Sequence, residues 1–190
     1  MTGLDPAYLS FETPRVKARL LCEDDLDLYM ALYTDPDVMR YIGPVMGREE
    51  VVSQFQRVLD QNTSSSARAK YWRISCRSTN DSFGMAALVR DKLIHARFEM
   101  GLMLLPGCQS SGIGSPVLLR IVDCALLGQW SLGAVEITTR HLHENEGGRG
   151  VMRSLGFDEF DVCMAGFQGW RMTAEKWREK SGMQVSSCAV

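Results

Sequence analysis

Along this chain of 190 residues the spacing of apolar positions changes several times, and each change marks an element. From Arg15 to Leu21 basic and apolar residues alternate, Val16, Ala18 and Leu20 against Arg15, Lys17 and Arg19; period two predicts a half-buried strand. Next, Leu26, Tyr29, Met30 and Tyr33 fall at helical spacing behind Glu23, Asp24, Asp25 and Asp27. Carboxylates in a first turn complement the positive end of the helix dipole, and Pro36 stops the helix. A second helix is predicted where Val51, Val52, Phe55, Val58 and Leu59 form one stripe, and the polar stretch 62–70 ends it as a loop.

Period two then returns over residues 71–77, 83–91 and 96–105, three successive strands joined by a turn at 78–82 and a short link at 92–95, most simply an antiparallel meander. Beyond a glycine-rich stretch, Pro116 suits a first helical position, with Leu118, Ile121, Val122 and Ala125 at helical spacing behind it. A β-branched strand is expected at 134–142, a short helix ending near Gly156, and two last strands at 158–164 and 169–173. Thr173 is placed to cap a closing helical turn. The sum is a single α+β domain over residues 1–190, mixed but mostly antiparallel, with 1–12 and 181–190 expected to be loosely ordered.

Composition narrows the possible partners. A formal net charge of −2 provides no basic face for nucleic acid. The start lacks a basic and apolar leader, and no run of about 18 apolar residues occurs, so the expectation is a cytoplasmic protein with no membrane partner. The six cysteines include no C-x-x-C pair, which argues for free thiols rather than a zinc site or disulfide scaffold. His141 and His143, two apart on a strand with Glu144 adjacent, could chelate a metal or shuttle protons, or simply be polar residues at a strand end; the sequence offers no third ligand and no metal is expected.

The stretch "PGCQSSGIGSP", Pro106 to Pro116, lies where an apolar strand gives way to a helix, so backbone N–H groups can converge there without side chains in the way. That is an anion site suited to phosphate or pyrophosphate. It is neither a P-loop, for no lysine follows Gly114, nor a complete G-x-G-x-x-G, for Val117 stands at the third glycine. What remains is Q-x-x-G-x-G, Gln109 to Gly114.

Four stretches in order, 13–43, 98–114, 143–157 and 169–177, together resemble the GNAT superfamily of acyl-CoA-dependent N-acyltransferases, and most of all its ribosomal-protein N-terminal (RimJ/RimL-like) branch. The resemblance implies a twisted sheet of six to seven strands flanked by about four helices, with a V-shaped splay between the fourth and fifth strands. It also implies acetyl-CoA as cosubstrate. Gln109, Gly112 and Gly114 match the pyrophosphate loop, with further backbone donors from Ser110, Ser111, Ile113 and Ser115. The pantetheine arm is expected along the backbone of Met103 and Leu104, and Asn145 matches an asparagine that contacts it.

Acetyl transfer to an amine needs a neutral amine, a stabilised tetrahedral oxyanion and a proton for the departing thiolate. Glu99, out of phase with Phe98, Met100 and Leu102, matches a general base acting through water; the alternative is an exposed strand residue or an ion pair with Arg97. Backbone N–H groups around Gly101 to Met103 would hold the oxyanion. The chain departs from the family at the thiolate acid, where Met152 stands in place of a tyrosine and Gly148 in place of a serine. Substitutes are Cys108, His143 or a water. Tyr33, Tyr41 and Met46 fall where the acceptor site is roofed, and the acceptor would be a small-molecule amine or a peptide N-terminus. A homodimer is possible on family grounds. The alternative function is a CoA-binding sensor or interaction module with little catalysis, in keeping with the missing acid.

Overall fold

The structure, a computed structural model, describes residues 6–64, 66 and 68–182. Its centre is one sheet of eight strands in the order β1-β2-β3-β4-β5-β6-β8-β7. The strands are β1 (Phe11–Glu12), β2 (Val16–Leu20), β3 (Ala69–Cys76), β4 (Ser82–Arg90), β5 (Arg97–Leu104), β6 (Glu136–Leu142), β7 (Asp158–Phe160) and β8 (Phe167–Thr173). The helices are α1 (Leu26–Tyr33), α2 (Pro36–Met39), α3 (Arg48–Thr63), α4 (Gly114–Leu126), α5 (Glu146–Leu155) and α6 (Ala174–Lys180). Every neighbouring pair is antiparallel except β5 and β6, which run parallel.

Side-chain alternation along the strands feeds two apolar cores, one on each face of the sheet. Trp72, Ile74, Ala86, Leu88, Phe98, Met100 and Ile137 point to the face covered by α4, α5 and α6. Tyr71, Met85 and Met103 point to the other, under Leu28, Tyr29 and Leu32 of α1 and Val51, Phe55 and Val58 of α3. In the larger core Trp72 stacks on Trp130 with ring centroids 5.1 Å apart, and Trp72 Nε1–H donates to the Leu9 carbonyl at 2.8 Å. Burying such a large side chain contributes roughly 1.5–3 kcal/mol, provided its polar atom finds a partner as it does here.

The architecture agrees with the expected fold, with differences in detail. Among the described residues there are eight strands and six α-helices, where six to seven strands and about four helices were expected. The extra strand is β1, and the expected loose lead-in reaches the core at two places: Leu9 and Phe11 are buried, and the Leu9 carbonyl accepts from Trp72 Nε1–H. Residues 1–5 and 183–190, where loose ends were expected, lie outside the described residues. Pro36 ends α1 but also opens α2, whose N-cap Asp35 accepts from the Asp37 and Val38 amides. Helix α4 begins at Gly114, two residues ahead of Pro116, which its first turn accommodates because the proline nitrogen there needs no partner. The last strands are β7, shorter than the predicted 158–164, and β8.

The acidic run is divided in its roles. Asp25 is 2% exposed and held by Arg19, with both guanidinium nitrogens at 2.6 and 2.9 Å, by Arg73 Nη1 at 3.6 Å and by the Cys22 amide at 2.9 Å. It fixes the entry of α1 onto β2 and β3, so of the four carboxylates it is a structural one.

Candidate active site

Strands β5 and β6 pair over three residues only, Arg97, Phe98 and Glu99 with Glu136, Ile137 and Thr138. Beyond Glu99 they diverge, and the edge of β5 from Met100 to Leu104 carries no strand partner on that side. This is the splay between the fourth and fifth strands of the sequence reading, which did not count β1. A cavity of about 850 Å³ occupies it, bounded by α1 and α2 at one end and by the 109–115 loop and α5 at the other.

The loop end is made of backbone. Ser110 and Gly112 both take left-handed conformations, φ 55° and 75°, and residues that alternate hand turn successive N–H groups toward one point. Among the described residues no close backbone acceptor outside α4 meets the amides of Ser110, Gly112, Ile113 and Gly114, and α4 contributes the positive end of its dipole directly behind them. The loop is braced from outside: Arg15 Nη1 donates to the Ser111 carbonyl at 3.0 Å, Gln109 Nε2 to the Leu104 carbonyl at 3.2 Å, and the Ser111 hydroxyl to the Cys108 carbonyl. Gly114 sits so near β5 that an added Cβ would lie 3.3 Å from Leu102 Cδ2.

The opposite end is made of side chains. Tyr33, at the end of α1, packs on Tyr29 with the rings tilted by 32° and their centroids 4.4 Å apart, and Tyr41 and Ile42 follow α2 along the cavity rim. Burial raises the hydroxyl pKa of Tyr33 and Tyr71, so both stay protonated at neutral pH. Glu99 lies between the two ends. Its oxygens meet Arg140 Nε at 2.9 Å and Nη2 at 3.1 Å with both side chains nearly half exposed, whereas Arg97 pairs with Glu136 instead. The expected alternative of a Glu99–Arg97 pair is therefore corrected: Arg97 lies across from Glu136 in the parallel register, and Arg140 is within reach of Glu99.

Of the residues singled out in the sequence, Glu99, Met103, Leu104, Gln109, Ser110, Ser111, Gly112, Ile113, Gly114, Ser115, Asn145, Tyr33 and Tyr41 all line this one cavity. Asn145 also caps α5, its Oδ1 accepting from the Gly148 amide at 2.9 Å. Cys108, His143 and Met46 are not among the lining residues. Cys108 packs on the larger core, and Met46 on the smaller one. His143 lies past the end of β6, its main chain bonded to Gly166 and Arg149. His141, by contrast, lines the cavity, and burial pulls its imidazole down to about 4. The sequence reading weighed His141 as a metal ligand or a proton shuttle and did not place it among the candidate catalytic residues. Among the described residues no three His, Cys, Asp or Glu side chains gather to hold a metal ion.

With this geometry in place, comparison with known proteins is decisive for class. The profile of the acetyltransferase (GNAT) domain matches residues 15–158, and the chain belongs to that family. It is thus an acyltransferase that uses acetyl-CoA. An N-acetyltransferase of Bacillus subtilis described as uncharacterized, YoaA, is 25% identical over 155 residues, covering 80% of this chain and 84% of that protein. Among solved structures, a GNAT-family acetyltransferase from Bacillus anthracis superposes with a TM-score of 0.70 at 17% identity, covering 88% of this chain and 99% of that one. A spermidine N-acetyltransferase from Vibrio cholerae, solved with CoA and spermine, gives 0.72 at 16% identity over 87% and 99%. At such identities the structural likeness speaks for the fold alone. No helix among the described residues is long and apolar enough to cross a membrane.

Proposed function

We propose that this protein transfers an acetyl group from acetyl-CoA to a primary amine by direct attack, with both substrates in the one cavity. The observation that carries the reading is the row of loop amides between Ser110 and Ser115, turned by the left-handed Ser110 and Gly112 and backed by the α4 N-terminus, as a pyrophosphate requires. The pantetheine arm would run along Met103 and Leu104 as an added strand, with Asn145 beside it. Amides near Gly101 to Met103 would hold the oxyanion. Glu99 would take the amine proton, through a water, and Arg140 would keep its carboxylate in place. Tyr33 and Tyr41 would flank the acceptor.

The lining supports a cationic acceptor: Asp37 stands at the α1–α2 end with Tyr33 and Tyr41, Glu99 lies between the two ends, and carboxylates there attract ammonium groups. Polyamines and peptide N-termini share that charge, and the resemblance of 143–157 to the ribosomal-protein N-terminal branch favours an α-amino group. Calorimetric titration with acetyl-CoA and CoA, followed by a thiol-release assay over peptides, polyamines and amino acids, tests this reading. Saturable binding and release with one amine class support it. Binding without release across the panel would instead make the protein a CoA-binding module.

A further inference from the structure

Along β6 the side chains alternate, so Arg140 falls on the Glu99 face and His141 on the α5 face. There the ring meets a glycine. A Cβ added to Gly148 would lie 2.8 Å from His141 Cδ2, 3.0 Å from its Nε2 and 3.1 Å from Asn145 Nδ2, so only glycine leaves the imidazole and the Asn145 amide room to converge. Nδ1 is sealed from solvent and has no hydrogen-bond partner, which a buried polar atom seldom tolerates without a function. Nε2 lies on the edge toward Gly148 and Asn145, and all three residues line the cavity beside the splayed strands.

We infer that His141 is a catalytic residue, the hydrogen-bond donor that holds the sulfur of the leaving thiol, occupying the space that the missing side chain of residue 148 leaves open. The inference rests on the acyl-transfer reading of the cavity. In the step it serves, the amine nitrogen forms a bond to the acetyl carbon and the carbon–sulfur bond breaks. The electron pair stays on sulfur, the nitrogen's surplus proton goes to Glu99 and on to solvent, and the Nε2–H of His141 stabilises the thiolate without leaving the ring. Because its imidazole is neutral at physiological pH, it presents one N–H for this purpose and brings no charge that would compete for the amine.

The test uses the full chain with the amine that the wild-type enzyme accepts. His141→Ala should lower kcat by about 10²-fold, with calorimetric Kd for acetyl-CoA unchanged. Adding Gly148→Ser to it should restore much of the rate, because the vacated space lets a serine hydroxyl take the donor position; His141→Gln, close in size and carrying an N–H, should fall between. An unchanged kcat in His141→Ala overturns the inference, and so does a loss of rate matched by an equal loss of acetyl-CoA binding. If His141→Ala does not fold, His141→Gln decides: a kcat lowered severalfold at wild-type Kd is expected, and wild-type kcat would overturn the inference. Wild-type protein that binds no acetyl-CoA, or releases no thiol with any amine, would sink the acyl-transfer reading and this inference together, whereas the variant outcomes bear on His141 alone.

Discussion

The two ends of the cavity are built from different materials. At the 109–115 loop the binding surface is main chain, shaped by two left-handed residues and a helix start, and its side chains mostly brace it from behind. At the α1–α2 end it is a set of side chains, Tyr33, Tyr41, Ile42 and Val38, placed by short helices. A main-chain surface suits a ligand that never changes, and it constrains only the few positions where a Cβ or a backbone angle matters. A side-chain surface can be altered one residue at a time, which suits the substrate that differs between relatives.

The sharpest way to break this contrast is to put a side chain into the main-chain end. Gly112→Asp, which strains a left-handed φ of 75° and adds a carboxylate to the loop, should raise Kd for CoA by more than about 10³-fold, or ~4 kcal/mol; calorimetry showing near-wild-type affinity would remove the loop from CoA binding. The side-chain end depends in turn on a buried ion cluster. Asp25→Asn, which leaves Arg19 and Arg73 without their carboxylate, should cost about 3 kcal/mol in urea unfolding, and a loss within error of zero would show that α1 is held by packing alone. Glu99→Gln should lower kcat by about 10²-fold while Kd for acetyl-CoA stays put, and equal rates would take Glu99 out of the mechanism.

A smaller effect follows from pH. The His141 pKa lies near 4 when folded and 6.5 when not, so the unfolded chain takes up the proton first as pH falls. Stability present above pH 6.5 is therefore lost progressively toward pH 4, by at most about 3 kcal/mol. Charged groups on the surrounding elements are Arg140 and Glu99 on the other sheet face and Glu144, Glu146 and Arg149 beside α5, and their contributions persist in His141→Gln. The urea midpoint should thus fall more steeply with acid in wild type than in that variant; parallel curves would contradict the assignment. Smallest of all, Tyr41→Ala should raise KM for the amine severalfold and leave acetyl-CoA binding alone. A change in both would mean that the two ends are not separable.

The same contrast decides what the sequence could reveal. Gly112 and Gly114 were legible because left-handed backbone and close approach leave few residue types to choose from, Gln109 because of its spacing from them, and Glu99 because strand period two fixes its face. The core strands and long helices were legible for the same reason of period. Strand β1 was not, since two residues cannot show a period and their burial depends on an indole far along the chain. Nor was the exclusion of Cys108 and His143 from the cavity, because both follow from where an element ends. The meeting of His141 with Gly148 is a complementarity between a large and an absent side chain on different elements, and only the pairing of H-x-H with the glycine-rich start of α5 hinted at it.

The splay has one more consequence, for self-association. Unpaired strand edges are templates for other chains, and the two outer edges of this sheet are blunted by strands of two and three residues, β1 and β7. The longest open edge, Met100 to Leu104, is instead inside the molecule, walled by α5 on one side and the loop on the other. A slit of that kind is wide enough for a slender, flexible thread and too narrow for a neighbouring strand with its flanking side chains, so the opening proposed to receive the pantetheine arm is also poorly suited to strand addition.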